Sequence, residues 1–157
     1  MIYTVTLNPA LDKTATVPGL TVDSVNRIRD LREDPGGKGI NVSKVIAKLG
    51  GTSRAVALLG GSVGEKIKAM LAEQGIDVWA FEAMGETRTN LKVVDPELGT
   101  HTDINEPGPE AGVAQLDAML SALVGAIAAG DVVVLSGSLP AGAPVGTYDA
   151  WCRACAG

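Results

Sequence analysis

Asp34-Pro-Gly-Gly-Lys-Gly-Ile-Asn41 sets two glycines, a lysine and an asparagine at the start of an apolar periodicity. It is not a Walker loop, because no glycine stands five positions before Gly37 and no Ser or Thr follows Lys38, and it is not G-x-G-x-x-G. Its chemistry is still that of an oxygen-binding site. Gly36 and Gly37 let the backbone come close to a ligand, and a helix opening behind them offers unpaired N–H groups. Lys38 adds a point charge, and Asn41 adds a donor and an acceptor. A plain tight turn capping a helix would use the same residues.

Glu86-Thr-Arg-Thr-Asn-Leu-Lys92 places Arg88, Asn90 and Lys92 on one strand face by the period of two. Arg27 and Arg29 share a face in the same way. Such a face suits a phosphate, since a charge-assisted hydrogen bond is worth about 1.5–3 kcal/mol; it is equally what a solvated strand face looks like. Asp12, after the Asn8-Pro9 turn, is a carboxylate able to accept two hydrogen bonds from vicinal hydroxyls, or to cap that turn. Ser136-Gly-Ser-Leu-Pro140 adds the hydroxyl of Ser138, or forms a simple strand-to-helix turn. Cys152 and Cys155 have the C-x-x-C spacing, but His101 is the chain's one histidine and lies in an unrelated stretch, so no four-ligand zinc site is assembled. Two reduced thiols one turn apart on a terminal helix are expected.

The elements that must position these residues alternate. Ile2–Leu7, Arg54–Leu59, Asp77–Ala80 and Asp131–Leu135 read as strands. The last, Val-Val-Val-Leu, is typical of a strand buried on both faces of a parallel sheet. Helices follow from Lys38 to Gly50, around Val63–Leu71, and from Val113 to near Gly130. The half-polar stretches at 13–17, 25–31, 87–94 and 99–104 do not fit that core and predict a separate small sheet, with Asp34-Pro35-Gly36-Gly37 breaking the chain. An α/β sheet with helices on both faces binds ligands beyond the carboxyl ends of its strands. Residues 8–12, Gly60-Gly61 and 136–139 are therefore expected at one mouth.

The 157 residues are 46% apolar and suffice for a sizeable core. With 13 basic and 18 acidic residues the chain has no bulk attraction for nucleic acid or anionic membrane. The longest apolar run, residues 122–130, is too short to cross a bilayer, and the N-terminus has no basic segment before an apolar stretch, so a cytoplasmic protein is expected.

LNPALD, DPGGKGIN, GETRTN, TDINEPGP and VVLSGSLP, in this order and spacing, closely resemble the PfkB-type carbohydrate kinases of ribokinase-like fold. The motif wording is nearest to members acting on fructose 1-phosphate, then on tagatose 6-phosphate or fructose 6-phosphate. The resemblance implies a three-layer α/β/α sheet with a small β-sheet lid, whose strands lie near 13–31 and 87–104 and can mediate a homodimer. It implies sugar phosphate, ATP and Mg²⁺ as ligands. Carried over, Asp12, Gly36, Gly37, Lys38 and Asn41 would bind sugar hydroxyls, Arg27 and Arg88 the existing phosphate, and Ser138 would line the same pocket. The family is about twice as long; its catalytic Asp, in a G-A-G-D motif, and its magnesium element N-x-x-E belong to a nucleotide-binding half not found in residues 1–157. By this resemblance the catalytic Asp is expected beyond Gly157. The chain therefore resembles an N-terminal half, with no catalytic base and no metal ligands of its own. A non-catalytic sugar-phosphate-binding module is the alternative.

Overall fold

A computed structural model describes residues 1–157. Strand β1 (Ile2–Thr6) is followed by β2 (Ala10–Thr16), β3 (Asp30–Gly36) and helix α1 (Lys38–Lys48). Then come β4 (Arg54–Leu59), α2 (Gly61–Glu73), β5 (Asp77–Glu82), β6 (Arg88–Asp95), β7 (Thr100–Asn105), α3 (Val113–Ala126), β8 (Val132–Leu135) and α4 (Thr147–Ala156). The apolar strands β5, β4, β1 and β8 form one parallel sheet in that order. Tyr3, Val5, Leu7, Val56 and Leu58 pack on one side with Leu116, Met119, Leu123 and Trp151 of α3 and α4. Ala55, Ala57 and Leu59 pack on the other with Ile40, Ile67 and Leu71 of α1 and α2. Burying each large side chain favours folding by about 1.5–3 kcal/mol, which fixes both helix layers.

The half-polar strands form the second sheet, in the order β3-β2-β6-β7. β2 runs antiparallel to β3 and parallel to β6, and β6 makes a hairpin with β7. One cross-strand row on one face reads Asp34, Asp12, Asn90, Asn105, each opposite the next. The buried carboxylate of Asp95 accepts the Gly19 and Leu20 N–H groups at 3.1 and 2.7 Å, and those of Glu97 and Leu98. Burial acts to raise its pKa, but the hydrogen bonds from Leu98, Gly19, Leu20 and Glu97 outweigh it and hold the carboxyl below the ordinary value.

Three sequence expectations are corrected. Residues 25–31 are not a strand; 25–29 form an exposed irregular loop, and the strand begins at Asp30. The reason is register: Ala10 pairs with Gly36 and Thr16 with Asp30, so Asp34-Pro35-Gly36 continues the ladder instead of breaking it. Pro35 is tolerated because β3 is an edge strand. Asp12 sits within β2, where its carboxylate accepts the Asn90 amide and does not cap the Asn8-Pro9 turn. β8 is also an edge, paired only to β1, and its Val132 is half exposed. Cys152 and Cys155 are free thiols on α4, as expected. No helix is long and apolar enough to cross a membrane.

Candidate functional site

The carboxyl end of β1 is the floor of the site, and α1 is clamped to it. Thr4 Oγ1 lies 2.7 Å from Ser43 Oγ, which accepts the Ser53 hydroxyl at 2.8 Å, all three side chains buried. One turn earlier, Thr6 Oγ1 accepts the Ile40 N–H at 2.9 Å. At Gly37 the backbone has φ +116°, and a Cβ there would stand 2.6 Å from Thr6 Cγ2, so only glycine lets α1 begin so close to β1.

Gly36 has a different reason. A Cβ at that position would lie 2.1 Å from Oδ2 of Asp12. The Asp12 carboxylate thus rests in the space a side chain would fill, while its Oδ1 accepts the Asn90 amide at 2.9 Å. Glycine and asparagine together fix one carboxylate.

Arg88 reaches the same mouth from the start of β6. Its guanidinium donates to the carbonyls of Asn8 (3.1 Å), Glu106 (3.2 Å) and Pro9 (3.4 Å). Five N–H groups are available and three are used. No carboxylate pairs with it or with Lys38; Arg27, Arg29, Lys44 and Lys48 have none either, but of these six only Arg88 and Lys38 line this mouth, while the other basic side chains each have one. Arg88 and Lys38 therefore bring positive charge that the protein itself leaves unmatched.

The loop after β8 closes the site. Gly137, at φ +103°, approaches the Lys38 side chain, and Ser138 Oγ accepts the Asn8 amide at 3.3 Å. The result is a cleft of about 530 Å³ with no hydrophobic lining residue. Of the residues singled out in the sequence, Asp12, Gly37, Lys38, Asn41, Arg88 and Ser138 line it, and Gly36 backs Asp12. Arg27 does not; it lies in the exposed loop at 21–29. Gly60-Gly61, expected at the mouth, line neither this cleft nor the larger one and start α2, with Gly60 N–H donating to Thr87 Oγ1 at 2.8 Å. Asn8, expected at the mouth with residues 8–12, lines the cleft too, and so do Thr6 and Asn105, which had not been singled out. The alternation of β6 placed Asn90 beside Arg88; nothing in the sequence showed that Asn105 pairs across from Asn90. A larger cleft of about 830 Å³ continues along the polar face of the second sheet, sharing Asp12, Asn90 and Asn105.

Chemically, the cleft sets donors without counter-charges on one side and an anchored carboxylate and amides on the other. No three His, Cys, Asp or Glu side chains come together to hold a metal ion. Asp12 is the one carboxylate lining the cleft, so these residues by themselves offer no all-protein cage for magnesium.

The parallel α/β sheet with a small polar β-sheet set over the cleft matches the ribokinase-like architecture of its solved neighbours. The chain belongs to the pfkB family of carbohydrate kinases, whose model matches residues 5–156. It is 44% identical over 148 residues to the 1-phosphofructokinase of Rhodobacter capsulatus, covering 94% of this chain and 47% of that protein. To the 1-phosphofructokinase of Bacillus subtilis it is 39% identical over 155 residues, covering 99% of this chain and 50% of the other. Among solved structures, Escherichia coli phosphofructokinase-2 in complex with fructose-6-phosphate superposes with a TM-score of 0.91 at 33% identity, covering 99% of this chain and 51% of that one. A possible 1-phosphofructokinase from Thermotoga maritima gives 0.91 at 35%, covering 99% and 50%. The chain spans about half the length of the curated relatives it matches.

Proposed function

We propose that this chain forms the acceptor-sugar half of an ATP-dependent kinase that converts fructose 1-phosphate to fructose 1,6-bisphosphate. The observation that carries the reading is Arg88: a guanidinium fixed by three carbonyls, with two N–H groups left over and no carboxylate partner. An anionic ligand supplies the missing charge. In this reading Arg88 and Ser138 hold the existing phosphate. Asp12, oriented by Asn90 and seated on Gly36, accepts hydrogen bonds from vicinal hydroxyls, and Asn41, Lys38 and the Gly37 backbone meet the rest of the sugar. Arg27 reaches the phosphate only if the loop at 21–29 folds differently or a second copy supplies it. Residues 13–31 and 87–104 act as a lid on the sugar. Exposed Val22, Val25, Ile28, Leu31 and Ile104 on this region support a homodimer through the lid.

The relatives' activity supports the kinase reading, with ATP and Mg²⁺ as the second substrate. Transfer of a phosphoryl group depends on positioning and on cancelling charge at the moving group. No G-A-G-D occurs among these residues, and Asp12 is the cleft's one carboxylate, already committed to Asn90. We therefore expect residues 1–157 to bind the sugar phosphate without turning it over. The E. coli phosphofructokinase-2 structure with fructose-6-phosphate favours that sugar as a second reading.

Calorimetric titration with fructose 1-phosphate, fructose 6-phosphate, tagatose 6-phosphate and fructose tests this. The proposal expects fructose 1-phosphate to bind most tightly and fructose at least tenfold more weakly. Equal affinity for fructose and its phosphates would refute it, and ATP-dependent product formation by the mass-verified 157-residue chain would refute the division of labour.

A further inference from the structure

Asn8 and the turn Glu106-Pro-Gly108 belong to two sequence motifs to which the sugar-phosphate reading gives no direct ligand contact. In the structure they meet behind Arg88 and Ser138. The Asn8 side chain is nearly buried, and one end of its amide faces the carbonyl oxygens of Pro107 and Leu139, each at 3.4 Å. Two carbonyls are acceptors only, so the atom facing them is the NH₂ group, and its two protons serve three acceptors. The third is Ser138 Oγ at 3.3 Å. Asn8 therefore donates to Ser138, and the serine's own proton must point elsewhere. Ser138 is exposed and lines the cleft, with Asn8 behind it.

The main chain of Asn8 acts on the second donor. Its carbonyl accepts Arg88 Nη2 at 3.1 Å, and the Glu106 carbonyl accepts Nη1 at 3.2 Å. Gly108 closes the arrangement: at φ +86°, a Cβ there would stand 2.6 Å from Asn8 Oδ1 and 3.2 Å from Arg88 Cδ. That Oδ1 is buried without a partner, an uncompensated polar atom of the kind that calls for an explanation beyond packing.

We propose that Asn8 is a positioning residue: its amide turns the Ser138 hydroxyl proton into the cleft, so that Ser138 and Arg88 donate together to one anionic group of the ligand. This rests on the sugar-phosphate reading above. Asparagine is needed because the donor must face two carbonyls. Aspartate, of nearly the same shape, has no proton to give; it would accept from Ser138 and draw that proton out of the cleft.

The test is calorimetric titration with fructose 1-phosphate on Asn8→Asp, Asn8→Ala, Ser138→Ala, Arg88→Ala and the Asn8→Ala/Ser138→Ala double variant, each checked for its fold by circular dichroism. Asn8→Asp should weaken binding at least tenfold. Because the side chain acts through Ser138, the double variant should bind within about twofold of the weaker single variant, whereas losses that multiply would overturn the proposal. Should the Asn8 variants unfold, the wild-type protein still decides. The side-chain ¹H–¹⁵N resonances of Asn8 should shift on adding fructose 1-phosphate and should not shift in Ser138→Ala; an unmoved Asn8 resonance in the wild type would overturn it. Wild-type affinity in Arg88→Ala would overturn the sugar-phosphate reading itself. Lost binding in Arg88→Ala with full binding in folded Asn8→Asp would overturn the Asn8 inference alone.

Discussion

Replacing Gly36 by alanine tests how the site holds its carboxylate. The added Cβ would lie 2.1 Å from Asp12 Oδ2 and 2.6 Å from Asp12 Cγ, against about 3.4 Å for ordinary contact, so the carboxylate must retreat by about 1.3 Å. Its bond from Asn90, now 2.9 Å, would lengthen beyond hydrogen-bonding range or lose its angle. The lost contribution is one charge-assisted hydrogen bond to a ligand hydroxyl, about 1.5–3 kcal/mol, which is roughly a 10- to 150-fold weaker dissociation constant. The backbone at Gly36 is not in the left-handed region, so overpacking against Ala10 O at 3.1 Å is the remaining structural cost, and the fold should persist. Calorimetry with fructose 1-phosphate measures the loss. In an Asp12→Ala background the same Gly36→Ala change should cost little further affinity, because the group it displaces is gone. Gly36→Ala binding within twofold of wild type, or equal losses in both backgrounds, would refute the assignment of Gly36 as the seat of Asp12.

Other consequences follow from the same geometry. Arg88→Ala should cost fructose 1-phosphate about 10- to 150-fold in affinity and leave fructose unchanged, and Arg88→Lys should recover only part, since an ammonium cannot span three carbonyls and still face a ligand; titration of both sugars checks this. Ser43→Ala leaves the buried hydroxyls of Thr4 and Ser53 without their shared partner, a loss of about 1–3 kcal/mol visible as a Tm several degrees lower. Asp95 has a folded pKa below its unfolded value, so its stabilising effect is present above about pH 4 and is lost as pH falls through the folded value. Thermal melts from pH 6 to pH 2 should show Asp95→Asn less stable than wild type at pH 6, with the gap narrowing below pH 4.

Much of the main sheet was readable because its chemistry is local. The apolar runs of β1, β4 and β8 and the Gly-bounded helices α1 and α2 declare themselves through period and caps. The second sheet was harder, because Pro35 and Gly36 look like breakers until Ala10–Thr16 supplies a ladder for them. An edge strand accommodates what a central strand rejects. Val132 is exposed because β8 is the outer strand of its sheet. Within the site, Asp12, Lys38 and Arg88 were visible by charge and motif. Asn8 was placed at the mouth, but its role was not visible, nor was that of Asn105, since both depend on contacts 99 to 131 residues away or on cross-strand register. No local pattern encodes such a pairing.

The central claim is that an unmatched Arg88 awaits the phosphate of a phosphosugar. It is met most directly by ³¹P NMR of fructose 1-phosphate titrated with the wild-type chain and with Arg88→Ala. The account predicts a saturable shift or broadening of the phosphorus resonance with the wild type and almost none with the variant. An equal perturbation by both proteins, or none by the wild type, would contradict it.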